Sequence, residues 1–135
     1  METTAILNAR QAISRHVQWK IALQLAVIQR EQLTAEQIDG IEHPHQCSIG
    51  RWLNSPVNVA IQTHPAFRDL ANRHLQFHQE MMTVARLIAA ECFTQAAARM
   101  DKLGEFTQAG QALALAITAL DRAVPIAIPR MGVGA

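Results

Sequence analysis

The chain has 135 residues, a length suited to one domain that buries roughly two-thirds of its unfolded surface. Half of its residues are hydrophobic, yet Tyr is absent and aromatics are few, while Ala, Leu, Ile and Gln recur, a balance that favours helices over a β-sandwich or barrel. A formal charge of +1 with no Lys/Arg cluster gives no field to draw nucleic acid or an anionic membrane surface, and two cysteines are too few for a disulfide framework.

The N-terminus lacks the basic-then-apolar pattern of a signal peptide. The longest apolar stretch, 112–120, is interrupted by Thr118 and bounded by Gln111 and Asp121, well short of a bilayer span. The expected setting is cytoplasmic, with no membrane and no nucleic acid as partner.

The first predicted helix starts at Thr3 or Thr4, either of which can cap it, and runs to about Leu33. Its apolar stripe of Ile6, Ala9, Ile13, Leu23 and Val27 also carries His16 and Lys20. Between Thr34 and Gln46 the pattern weakens, and Asp39-Gly40 and Pro44 predict a connection with one helical turn at most. A short helix follows over Cys47 to Leu53 and ends at Asn54, Ser55 and Pro56. Thr63 and Pro65 then open a long helix to about Cys92, with the stripe Phe67, Leu70, His74, Phe77, His78, Met81, Ala85 and Ile88. Thr94 opens a last long helix to about Val124, despite Gly104 and Gly110 inside it, and Pro125 and Pro129 end it. The prediction is an all-α, antiparallel four-helix-bundle-like domain over residues 1–130, with a short extra helix carrying Cys47 and a disordered tail at 131–135.

His74 and His78 stand at i and i+4, so both rings leave one helix face and can converge on an ion. Both lie on an apolar stripe facing the core, as does His16, and an imidazole there needs a partner. A single core His is satisfied by a backbone carbonyl or a neighbouring polar side chain; three on two stripes point to metal. Cys47 opens a helix, where the free N–H groups and the dipole, with Arg51 one turn on, favour a thiolate, although an ordinary buried Cys in a turn is the alternative. Gly50 permits a close backbone approach from a neighbouring helix, and Trp52 and Leu53 anchor the short helix. Three imidazoles and one thiolate are a closed tetrahedral set for Zn2+, which suits a structural or sensory ion and leaves no catalytic position. His43, His45 and His64 fall in loops or at a helix start and read as solvated, with His45 in reserve as a ligand two residues before Cys47. Cys92 reads as inert core.

Three segments in order, His16-Val17-Gln18-Trp19, Cys47-Ser48-Ile49-Gly50-Arg51-Trp52-Leu53 and His74-Leu75-Gln76-Phe77-His78, resemble the chemoreceptor zinc-binding domain of bacterial cytoplasmic chemoreceptors and some diguanylate cyclases. The resemblance runs from about Ile6 to Val124. It implies zinc held by His16, Cys47, His74 and His78, a bundle that forms a homodimer, and a sensor of zinc availability or of oxidation of the zinc-bound Cys47 by hypochlorous acid. Relatives carry a signalling output module, so the expectation is either a free-standing sensor with a separate output partner or one domain of a longer protein. Loss of metal or oxidation of Cys47 is expected to free the short helix while the bundle stays folded, and acid is expected to favour metal loss.

Other classes predict different features. A di-iron carboxylate bundle needs core Asp or Glu, absent from the stripes around His16 and His74. A Lewis-acid zinc enzyme needs an open position, and a phosphotransfer bundle needs His16 on a solvated face. A zinc-stapled protein-interaction module without a sensing role shares every ligand and differs in holding zinc too tightly, and resisting oxidation too well, to respond.

Overall fold

The computed structural model describes residues 9–123, without the side chains of 9–13 and of Val57. The predicted N-terminal cap and the predicted tail at 131–135 lie outside the described residues.

The described chain is all-α: α1 (Ala9–Gln29), α2 (Ala35–Glu42), α3 (Ser48–Leu53), α4 (Pro65–Ala89), α5 (Phe93–Met100) and α6 (Glu105–Ala123), with 3-10 turns at Pro44–Gln46 and Pro56–Asn58. None of these helices is long and apolar enough to cross a membrane. α4 is the central element: it packs most extensively on α6 and also meets α1, α2, α3 and α5. Its buried face is Phe67, Leu70, His74, Phe77, His78, Met81, Val84 and Ile88. That is the predicted stripe with Val84 in place of Ala85, which is half-buried.

Three boundaries differ from the sequence expectation. α1 stops at Gln29, short of Leu33, because Arg30 takes a left-handed φ of 55° and the Glu31 N–H turns back to Ala26 O at 3.0 Å. Neither a Gly nor a Pro marks this end, so nothing local announced it. The segment after Thr34 is a two-turn helix, α2, and its start is a capping box: Gln37 N–H donates to Thr34 Oγ1 at 3.1 Å while Thr34 N–H donates to Gln37 Oε1 at 2.9 Å. The predicted last long helix is two helices. A Cβ at Gly104 would collide with the Arg99 carbonyl, and Thr107 Oγ1 caps the end of α5 by donating to Met100 O at 3.0 Å and Asp101 O at 2.7 Å. Gly104 is therefore a junction residue required by close backbone approach, whereas Gly110 sits within α6 against Phe77.

The join between α5 and its neighbours is further held by Arg99, which bridges Glu80 of α4 at 3.1 Å and Glu105 of α6 at 3.5 Å. Cys92 precedes α5 and is half-buried, outside the core where the sequence reading put it, because Glu91 reverses the chain with φ 60° just before it.

Candidate metal centre

α4 presents His74 and His78 on successive turns, and α1 supplies His16, buried between exposed Arg15 and Val17. The three rings form a compact group, with centroids 4.7 Å apart for His74 and His78, 5.7 Å for His16 and His74, and 5.8 Å for His16 and His78. Trp19, one turn beyond His16, stands edge-on to both His16 and His78 at 5.0 and 5.3 Å. Its indole meets α2 at Gly40, where a Cβ would lie 3.1 Å from Trp19 Cζ2.

Cys47 arrives from a different direction, as the N-cap of α3. Its Sγ accepts from Gly50 N–H at 3.4 Å and lies 3.0 Å from His74 Nε2. The thiol also reaches Pro44 O at 3.2 Å, a bond that needs the proton and would be lost in the thiolate. Gly50 is what lets this loop close. A Cβ there would strike the Pro44 carbonyl and come within 2.8 Å of His45 Cα, so the close approach comes from the turn just before the helix and not from a neighbouring helix as expected. α3 is anchored by Trp52, stacked near Phe67 at 5.5 Å, and by buried Asn58, whose Nδ2 donates to Trp52 O at 2.7 Å.

All four predicted ligands are thus brought together, all are buried, and one candidate ligand atom from each lies within 4.8 Å of the others. Donor atoms around tetrahedral zinc sit about 3.3–3.6 Å apart, given bonds of about 2.0–2.3 Å. Closing such a shell moves Cys47 Sγ and His74 Nε2 apart from 3.0 Å and draws the wider pairs in. The fit is supported by His78: its Nδ1–H donates to Ile41 O at 3.0 Å, which assigns the lone pair to Nε2, and that Nε2 is buried with no hydrogen-bond partner. A buried acceptor left in this way is costly in a metal-free core and natural in a ligand. Ile41 is also a residue the sequence reading missed, because a backbone carbonyl carries no side-chain signature. The carboxylates of α4, Asp69 and Glu80, pair with Arg73 and Arg99.

Electrostatics suit a neutral, metal-ready group. Burial above all, then the neighbouring His78, His16 and His45, hold His74 down to about 3. His78 is lowered by burial, against the raising effect of its bond to Ile41 O. Burial also pushes the Cys47 thiol up, outweighing the Gly50 and Ile49 N–H groups and the charges of Arg51 and Arg15. The helix end and Arg51 act in the expected direction but do not prevail, so the thiolate form depends on a metal.

The remaining histidines serve the chain locally. His64 caps α4 by accepting from Ala66 N–H at 3.0 Å, His43 donates to Asp39 O at 2.8 Å, and His45 is exposed beside Asn54. The burial of His16 runs against a phosphoryl-accepting role.

A search of curated proteins and a search of solved structures each return no match. The family description "Chemoreceptor zinc-binding domain" matches residues 16–85, more than half of the chain and every residue of the cluster. Given that match and a buried group of three imidazoles and one thiol suited to Zn2+, the chain belongs to the chemoreceptor zinc-binding domain family.

Proposed function

We infer that this chain is a regulatory sensor domain of bacterial signalling, in chemotaxis or cyclic-di-GMP control, with zinc held by His16, Cys47, His74 and His78. Its inputs are zinc availability, oxidation of Cys47 by hypochlorous acid, or both. The observation that carries this reading is the convergence of four buried donors from three separate parts of the chain, with ligand atoms within 4.8 Å. Zinc, when bound, supplies a redox-inert Lewis acid that holds the thiolate form of Cys47 and ties its segment to α4.

The protein's own groups set how this responds. Ile41 O fixes the tautomer of His78, and Gly50 N–H stays on Cys47 Sγ when the thiol proton and its bond to Pro44 O are lost. In the redox input, the thiolate sulfur gives up two electrons to hypochlorous acid, the O–Cl bond breaks, chloride leaves and Cys47 becomes a sulfenic acid. A sulfenic acid is the poorer ligand, so the N-terminus of α3 is released from α4. α4 packs most extensively on α6, which carries none of the four donors, so the bundle stays in place while one segment moves. A homodimer acting on an output partner or a fused output domain, in the cytoplasm and without catalytic activity, completes the proposal.

A second reading is a zinc-stapled interaction module without sensing. It is favoured by one observation: Cys47 is only 7% exposed, which restricts access of an oxidant. The test is the metal content of the chain purified without added metal, for the native form and for Cys47→Ala, followed by titration with hypochlorous acid while zinc release is followed. One zinc per chain, reduced by the substitution and released by near-stoichiometric oxidant, supports the sensor. Zinc that survives oxidation supports the staple, and absence of zinc in the native protein overturns both.

A further inference from the structure

Beside the metal centre, with His16 in its wall, residues of α1, α3, α4 and α6 line a cavity of about 250 Å³. Its floor is buried and apolar, built chiefly of Ile49, Phe77, Phe106, Leu113 and Ile117. The rim is exposed: Val17 on α1, Gln111 and Ala114 on α6. One charged side chain enters this lining, the half-buried Lys20, while no carboxylate does, and Lys20 makes no ion pair among the described residues. A cation placed at a largely apolar cavity, with no counter-ion among the described residues, is complementary to an anion with an apolar body. Size narrows the class. A dry cavity of about 150 Å³ accepts benzene, so 250 Å³ accommodates an apolar body of about ten heavy atoms.

We propose that this cavity is a binding site for a small amphipathic carboxylate, with its tail against Phe77 and Phe106 and its head on the ammonium of Lys20. The site shares His16 as one wall with the metal centre and is lined by none of the other three donors, and the proposal does not depend on the sensing role. Neither the apolar floor nor Lys20 is needed to hold zinc.

Octanoate is the probe, titrated into the purified chain by calorimetry, with methyl chemical shifts at Val17, Leu113 and Ile117 recorded to locate it. Three controls accompany it: 1-octanol as the neutral analogue, Lys20→Met, which keeps the apolar stem and removes the charge, and Ala114→Phe, which fills the mouth from an exposed position and so leaves the core untouched. Saturable binding with shifts confined to those methyls is expected, weakened at least tenfold by Lys20→Met and abolished by Ala114→Phe, with octanol as weak as octanoate on the Lys20→Met chain. No saturation in the millimolar range overturns the proposal. Equal octanoate affinity in the native and Lys20→Met chains overturns the anion recognition. A native dimer by sedimentation that excludes octanoate and dissociates on Ala114→Phe also overturns it, and assigns the cavity to an interface between copies.

Discussion

The Nδ1–H of His78 donates to the carbonyl of Ile41 across 3.0 Å, joining the central helix to the end of α2. This bond fixes which ring nitrogen is free, so a helix that contributes none of the four donors determines how one ligand is presented. α2 meets the centre a second time where Gly40 lies under Trp19.

Alanine substitution of His16, Cys47, His74 or His78 is expected to lower bound zinc well below one per chain, while Cys92→Ala leaves it unchanged. Elemental analysis of each purified variant checks this. Equal zinc in the Cys47 and Cys92 variants would remove Cys47 from the ligand set.

The two glycines of the predicted last helix should respond in opposite directions. Gly110→Ala adds a Cβ at 3.4 Å from Phe77 Cε1, an ordinary contact, within a helix where Ala is preferred to Gly by about 1 kcal/mol, so stability should rise by about 0.5–1 kcal/mol. Gly104→Ala drives its Cβ into the Arg99 backbone, and a loss above about 2 kcal/mol is expected. Urea unfolding at one pH compares them.

Asn58→Ala removes one of two donors to Trp52 O, leaving the Ser55 N–H at 3.0 Å, at a cost of about 0.5–1.5 kcal/mol. Because Trp52 anchors α3, the larger effect should appear at the metal centre. Zinc dissociation measured with a chromophoric chelator is expected to be faster than in the native chain.

The metal-free protein should lose stability in mild acid. His74 titrates at about 3 in the folded chain against an ordinary 6.5, so below about pH 6.5 the unfolded chain binds a proton that the folded chain does not. Stability is then complete above that range and falls as pH drops toward 3, by on the order of 2 kcal/mol at pH 5 from this group alone, and lowered His78 adds in the same direction. Urea midpoints of the metal-free native and His74→Phe chains at pH 7.5 and 5 measure it. The difference between the two pH values should shrink in the variant.

Metal-free Cys47 should react slowly with a thiol reagent at neutral pH, since it is 7% exposed and its thiol is pushed up by burial. Half-buried Cys92 should label first. Mass spectrometry of peptides after timed labelling with a maleimide distinguishes them, and a faster Cys47 would show that burial does not control this thiol.

Much of this protein was readable from the order of its residues. Periodicity of three and four put Phe67, His74, His78 and Ile88 on one face of α4, because a helix repeats every 3.6 residues whatever packs on it. The same periodicity made His16, His74 and His78 candidates, and the family resemblance joined Cys47 to them; the structure brings all four together. A boundary without a local marker was not readable: Arg30 ends α1 in a left-handed conformation that no Gly announces. The Thr34 and Gln37 capping box was present in the sequence but was outweighed by Asp39-Gly40 and Pro44, which suggested turns.

What only the tertiary structure decided follows from distance along the chain. Gly104 breaks a continuous helical pattern because of the Arg99 backbone it must pass. Ile41 O becomes the partner of His78, 37 residues away, through a backbone group that every residue type shares. The thiol of Cys47 is raised because burial, a property of the packed chain, outweighs the helix end and the Arg51 charge that the sequence alone displays. Residue type and spacing determine which atoms can bind and which face they leave; packing determines which of their lone pairs and protons remain available.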